Sequence, residues 1–125
     1  MPDKINKPTD SELEILSILW VKDNATVKEV HEVIQQTKKV GYTTTLKLMQ
    51  IMNEKGLVTR NVTSKKHIYT PTVKVEKLQA QYVEKIIQTL FNGSATKLIE
   101  KTLENHSPTK KELIEIKKLI DQLVN

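Results

Sequence analysis

The chain has 125 residues, 38% of them apolar and 28% charged, with a formal charge of +5 and no cysteine. This size fits one compact domain with a short accessory segment, and a core so thin invites self-association, while the positive excess suits a partner with an anionic surface. The missing cysteines exclude a disulfide framework, a thiolate metal site and a thiol nucleophile. The opening MPDKINKPTDSE has no apolar leader region and no run approaches the roughly 20 apolar residues of a bilayer span, so a cytoplasmic protein without membrane insertion is expected.

Thr9 and Glu12 stand at capping-box spacing, which predicts a helix starting there. Leu13, Leu16, Leu19 and Trp20 then recur at spacings of three and four, with Ile15 beside them, and place Glu12, Glu14 and Ser17 on the solvent side. This helix ends near Lys22-Asp23-Asn24. Thr26 and Glu29 repeat the capping box, and Val27, Val30, Val33 and Ile34 form the apolar stripe of a second helix reaching to about Lys38, with His31 facing solvent. Gly41 stops the basic, polar stretch that follows.

A third helix is predicted from Thr43 or its neighbour, as cap, to Gly56, whose freedom to adopt a left-handed conformation closes it. Thr45, Leu48, Met49 and Met52 make the inward stripe; Thr44, Lys47, Gln50, Ile51 and Glu54 lie off it, leaving Leu46 and Ile51 partly exposed. The period then shifts to two. LVTRNV and HIYTP read as the strands of a hairpin whose tip, Thr63-Ser64-Lys65-Lys66, is basic, and Pro71 ends it because proline has no N–H to donate.

From Val75 the helical period returns, with Leu78, Tyr82, Ile86 and Leu90 spaced by four and Val83, Ile87 and Phe91 adjacent, until Asn92-Gly93. A further helix starts at Ser94 and carries Leu98, Ile99 and Leu103. The last begins after Ser107-Pro108-Thr109, with Glu112 three residues past Thr109, and aligns Leu113, Ile116, Leu119, Ile120 and Leu123.

The expected fold is thus mostly α with a small β-hairpin. Three helices and a hairpin form an N-terminal winged helix-turn-helix over residues 1–73, and three helices form a C-terminal dimerisation domain over 74–125. In such an arrangement the third helix is the right size to enter a DNA major groove about 12 Å wide. Its candidate contacts are Thr43, Thr44, Lys47 and Gln50, since hydroxyls reach phosphates or bases, lysine neutralises phosphate or reads guanine, and glutamine pairs with adenine. Leu46 or Ile51 is placed to touch thymine methyls. Lys65 and Lys66 at the hairpin tip, with Arg60 on its strand, are the candidate phosphate contacts of the wing.

Three short amphipathic helices do not bury their own stripes well, so the tail implies a partner surface. A second copy of the chain would pair through Leu78, Tyr82, Ile86, Leu90, Leu98, Leu103, Leu113, Ile116, Leu119, Ile120 and Leu123 and present two reading helices to a palindrome. The other arrangement open to the tail is packing back on its own winged domain.

An enzyme is not expected. His31, His67 and His106 fall on separate elements without metal-ligand spacing, and three glycines make no phosphate loop, so neither a catalytic group, a metal nor another cofactor is assigned. Five aromatic residues, most on apolar stripes, supply few platforms for stacking single-stranded RNA. A winged helix that serves as a protein-interaction adaptor is the alternative to DNA binding.

Residues 9 to 71 resemble the penicillinase-repressor family (the BlaI/MecI type). The resemblance rests on ELEILSILW, TVKEVHEV, GYTTTLKLM, NEKGLVTR and HIYTPTV, in order, and extends into the tail through LFNGSATKLI. It implies a homodimeric repressor on a palindromic DNA operator, with an N-terminal winged helix and a C-terminal three-helix dimerisation domain. In the beta-lactam branch it also implies release by cleavage of the tail, triggered by a membrane-bound sensor with a zinc metalloprotease domain.

The Asn-Phe bond usual for that cleavage is absent: the matching stretch reads Ile99-Glu100-Lys101-Thr102-Leu103, and the family alignment alone would put a cut near Lys101 or Thr102. The cysteine-rich metal motif of the copper-responsive branch is excluded. Thr45 replaces the family's usual aliphatic residue, and its hydroxyl is expected to bond back to its own helix.

Overall fold

The computed structural model describes residues 7–63 and 65–125, so Ser64 of the hairpin tip lies outside the described residues. The order is α1 (Asp10–Lys22), β1 (Ala25–Thr26), α2 (Val27–Ile34), α3 (Tyr42–Lys55), β2 (Val58–Thr63), β3 (Lys66–Pro71), α4 (Val75–Leu90), α5 (Ala95–His106) and α6 (Lys110–Val124). Two compact units divide between Leu78 and Gln79, within the helix expected to open the second domain.

Local chemistry sets the helix starts. Both capping boxes form: Thr9 and Thr26 each accept from the backbone N–H three residues on, and Glu12 and Glu29 each accept from the cap backbone in return. Gly56 ends α3 with φ of 82°, where a side chain would be strained. The start of α3 differs from expectation: Gly41 is its N-cap and supplies no side-chain bond. Helix α2 is also shorter than its stripe suggested. Beyond Ile34 the helix gives way to a turn with Gln36 N–H to Val33 O and Thr37 N–H to Ile34 O, closed by Lys38 N–H to Ile34 O at 3.0 Å, while Lys38 Nζ pairs with Glu14 of α1 at 2.9 Å.

In the first unit the three strands form an antiparallel sheet in the order β1-β3-β2. The two-residue β1 was not expected; it pairs Ala25 with Tyr69 and Thr26 with Ile68, so β3 is central and the hairpin is anchored to the helices. Ile15, Leu16 and Leu19 of α1, Val30 of α2 and Met49 and Met52 of α3 make a core that Leu57, Val58 and Tyr69 close from the hairpin side. Full burial of side chains of this size stabilises by about 1.5–3 kcal/mol each. Trp20 Nε1 donates to the Val73 carbonyl at 2.8 Å, tying α1 to the segment after the hairpin.

Glu12 corrects its expected solvent placement, being only 2% exposed. The carboxylate tolerates this because Oε1 accepts from Thr9 N–H at 2.9 Å and from Lys55 Nζ at 2.6 Å. Burial pushes its pKa up, but the hydrogen bonds from Lys55 and Thr9 and the Lys55 charge outweigh that and hold it below the ordinary carboxylate value.

In the second unit, α5 is capped by Ser94, which accepts from Lys97 N–H, and α6 by Thr109, which accepts from Glu112 N–H. Gly93, with φ of 84°, donates to the Ile87 carbonyl and closes α4. No residue from Gln79 to Asn125 is buried. Among the described residues, no helix is long and apolar enough to cross a membrane.

Candidate nucleic-acid interface

Helix α3 separates its faces cleanly. Thr45, Met49 and Met52 are buried, Leu46, Leu48 and Ile51 are half-buried, and Thr43, Thr44, Lys47 and Gln50 stand in solvent. Thr43, Lys47 and Gln50 recur at four and three residues and therefore share one side of the helix. With 14 residues at about 1.5 Å rise, α3 is roughly 20 Å long, enough to cross a major groove.

The inward face is fixed by an interaction that the sequence did not announce. His31 Nδ1 of α2 lies 3.0 Å from Thr45 Oγ1, so the Thr45 hydroxyl meets the neighbouring helix and not the backbone of its own. His31 is accordingly half-buried, and its ring meets Tyr42 edge-on, with centroids 5.6 Å apart. This corrects the solvent-facing placement of His31. It also gives the uncapped start of α3 two lateral anchors, at Tyr42 and Thr45.

The hairpin carries the remaining cations. Arg60 on β2 is exposed opposite Tyr69, and Lys66 opens β3 opposite Thr63. Alternation along the ladder sends Arg60 and Lys66 to opposite faces. Lys65 sits at the tip with φ of 70°, in the left-handed region.

A groove of about 620 Å³ runs between α2, α3 and the hairpin; Gln50, Lys65 and Lys66 line it, and Arg60, Thr43, Thr44 and Lys47 do not. Sequence reasoning missed its other polar walls, Lys28, Glu29 and Glu32 of α2 with Tyr42 and His67, because no local pattern links three separate elements. Glu29 Oε1 accepts from Thr26 N–H at 2.8 Å. That backbone bond first, with the Lys22 and Lys66 charges assisting, holds the Glu29 carboxyl below its ordinary value.

The tail positions stand differently. Leu78 is only 4% exposed and belongs to the first unit, so its surface is already covered within one chain. Ile86, Leu90, Leu113, Leu119, Ile120 and Leu123 are exposed, and Tyr82, Leu98, Leu103 and Ile116 are half-buried. Among the described residues, no group of three or more His, Asp or Glu is arranged to hold a metal. His31, His67 and His106 lie on α2, β3 and α5.

The sequence profile described as "Penicillinase repressor" matches residues 8–122. The chain is 21% identical over 126 residues to a penicillinase repressor of Bacillus licheniformis, covering 98% of this chain and 95% of the relative. It is 20% identical over 113 residues to a penicillinase repressor of Staphylococcus aureus, covering 90% of each. It is 21% identical over 122 residues to the methicillin resistance regulatory protein MecI of Staphylococcus aureus strain N315, covering 98% of this chain and 99% of the relative. With a family match spanning nearly all of its length, the chain belongs to the penicillinase repressor family.

Proposed function

We propose that this protein is a homodimeric transcriptional repressor that binds a palindromic DNA operator in the cytoplasm, with no catalytic role and no cofactor. The observation that carries the reading is the solvent-facing row of Thr43, Thr44, Lys47 and Gln50 on a helix whose other face is locked into the core. Hydroxyls and a lysine there suit phosphates and base edges, and Gln50 suits adenine. The lysines of the hairpin tip add sequence-independent attraction by releasing counterions.

The second unit supplies the dimer in this reading. Apart from Leu78 at the start of α4, the three amphipathic helices bury no residue, and they leave Leu113, Leu119, Ile120 and Leu123 for a second copy to cover. A symmetric pair holds two reading helices about 34 Å apart, one turn of DNA. Repression ends by proteolysis of this unit, under a membrane-bound metalloprotease sensor. Lys101 and Thr102 are exposed on α5, a helix without buried side chains that opens at low cost.

The test is fluorescence anisotropy of the whole chain against its own upstream DNA and a scrambled fragment, over a range of salt. Preference for the upstream fragment with steep weakening by salt is expected. Equal binding to both fragments overturns operator recognition, and binding to neither favours the protein-interaction adaptor.

A further inference from the structure

The groove between α2, α3 and the hairpin has a chemistry that duplex DNA does not use up. Its volume of about 620 Å³ falls within the roughly 300–1,000 Å³ of small-ligand clefts. Val27 and Tyr69 are buried beneath it and Leu46 is half-buried, so part of its lining is apolar, and the aromatic residues Tyr42 and His67 line it as well. The backbone of a duplex is convex and hydrated. Its phosphates can meet lysines at a rim, but they leave an apolar lining unfilled.

The charges select the ligand. Lys28, Lys65 and Lys66 line the groove together with Glu29 and Glu32, and Glu29 stays ionised while it accepts from Thr26 N–H at 2.8 Å, so the cations exceed the carboxylates by one charge. An anion with a planar apolar body answers both features: the body covers Leu46 and Val27, and the carboxylate meets the lysines. Gln50, Lys65 and Lys66 belong both to this groove and to the DNA face proposed above.

We infer that this groove is a binding site for a small aromatic carboxylate, and that its occupant competes with DNA for Gln50, Lys65 and Lys66. The competition, though not the site, rests on the proposed DNA-binding function. A ligand that binds only the DNA-free form shifts the equilibrium by its own affinity, and DNA weakens ligand binding by the same factor.

The experiment is a titration of the ¹⁵N-labelled whole chain with 2-naphthoate, beside benzoate, the neutral 2-naphthalenemethanol and inorganic phosphate. Saturating shifts confined to the amides of Val27, Leu46, Gln50 and His67 are expected, with 2-naphthoate binding more tightly than any of the other three. Because single charges at a solvated rim change binding by only a few-fold, Lys28→Ala should weaken 2-naphthoate about threefold and Glu32→Gln should tighten it by a similar factor.

Shifts that never saturate, that spread over both units, or that phosphate reproduces at equal concentration overturn the site. DNA binding is read separately by anisotropy with and without 2-naphthoate. DNA binding without any filling of the groove sinks this inference alone; filling of the groove without DNA binding sinks the proposed function and the competition but leaves the site. Binding of both together without mutual weakening overturns the competition.

Discussion

His31 Nδ1 and Thr45 Oγ1 lie 3.0 Å apart across α2 and α3, joining a half-buried imidazole to a hydroxyl on the fully buried face of the candidate reading helix. A buried hydroxyl is stable only with a partner, and here the partner comes from another element. Thr45→Val keeps the shape and removes the bond, while His31 retains access to water, so a loss of about 1 kcal/mol is expected in urea denaturation. His31→Ala also removes the ring packed on Tyr42 and should cost roughly 1–2 kcal/mol. Unchanged unfolding midpoints in both variants would mean that the pair holds nothing.

Glu12 and Lys55 join the start of α1 to the end of α3 at 2.6 Å. Glu12 is buried and doubly bonded, whereas Lys55 keeps 27% of its side chain exposed. Glu12→Ala strands the Thr9 N–H and uncouples Lys55, with an expected cost of about 2–4 kcal/mol. Lys55→Met should cost less, roughly 1–2 kcal/mol, since its ammonium is partly solvated.

The same pair sets an acid limit. The folded pKa of Glu12 is depressed, as is that of Glu29, so their contribution is fully present above the unfolded carboxylate value and is lost as pH falls through the folded one. Stability measured from pH 7 downward should stay flat until the ordinary carboxylate range and then fall, and the Glu12→Gln variant should fall less steeply. A wild-type curve that parallels the variant throughout would contradict this assignment.

Lys65→Ala with Lys66→Ala should weaken DNA binding across sequences. A lysine that neutralises one phosphate adds about 0.9 to the salt slope, so the double variant should show a slope shallower by up to about 1.8. Lys47→Ala should instead weaken the preferred sequence more than the scrambled one. Binding isotherms at several salt concentrations separate the two, and an unchanged slope in the double variant would remove the hairpin from the interface.

Leu119 is 60% exposed and Leu123 is 87% exposed on α6. Exposed apolar side chains on a unit without buried residues mark an uncovered face. Leu119→Glu or Leu123→Glu should turn a dimer into a monomer in sedimentation equilibrium while leaving helix content unchanged. Dimers that persist in both variants would place the seam elsewhere.

Much of the fold is legible because its signals are local. Thr9 with Glu12, and Thr26 with Glu29, act within one turn, and Gly56 closes α3 by its own backbone freedom. What escaped the sequence depends on partners far along the chain. Glu12 reads as solvated until Lys55 arrives, His31 until Thr45 does, and β1 exists only because Ala25 and Thr26 meet Tyr69 and Ile68. The exposed side of α3 follows from its period, yet the groove does not, since α2, α3 and the hairpin each contribute part of it.

Whether two copies of this chain grip one palindrome is decided by sedimentation equilibrium of the whole protein mixed with a duplex from its own upstream DNA. A complex of two chains per palindrome that dissociates as salt rises is expected. A complex of one chain per palindrome, or free DNA at low salt with protein in excess, would contradict it.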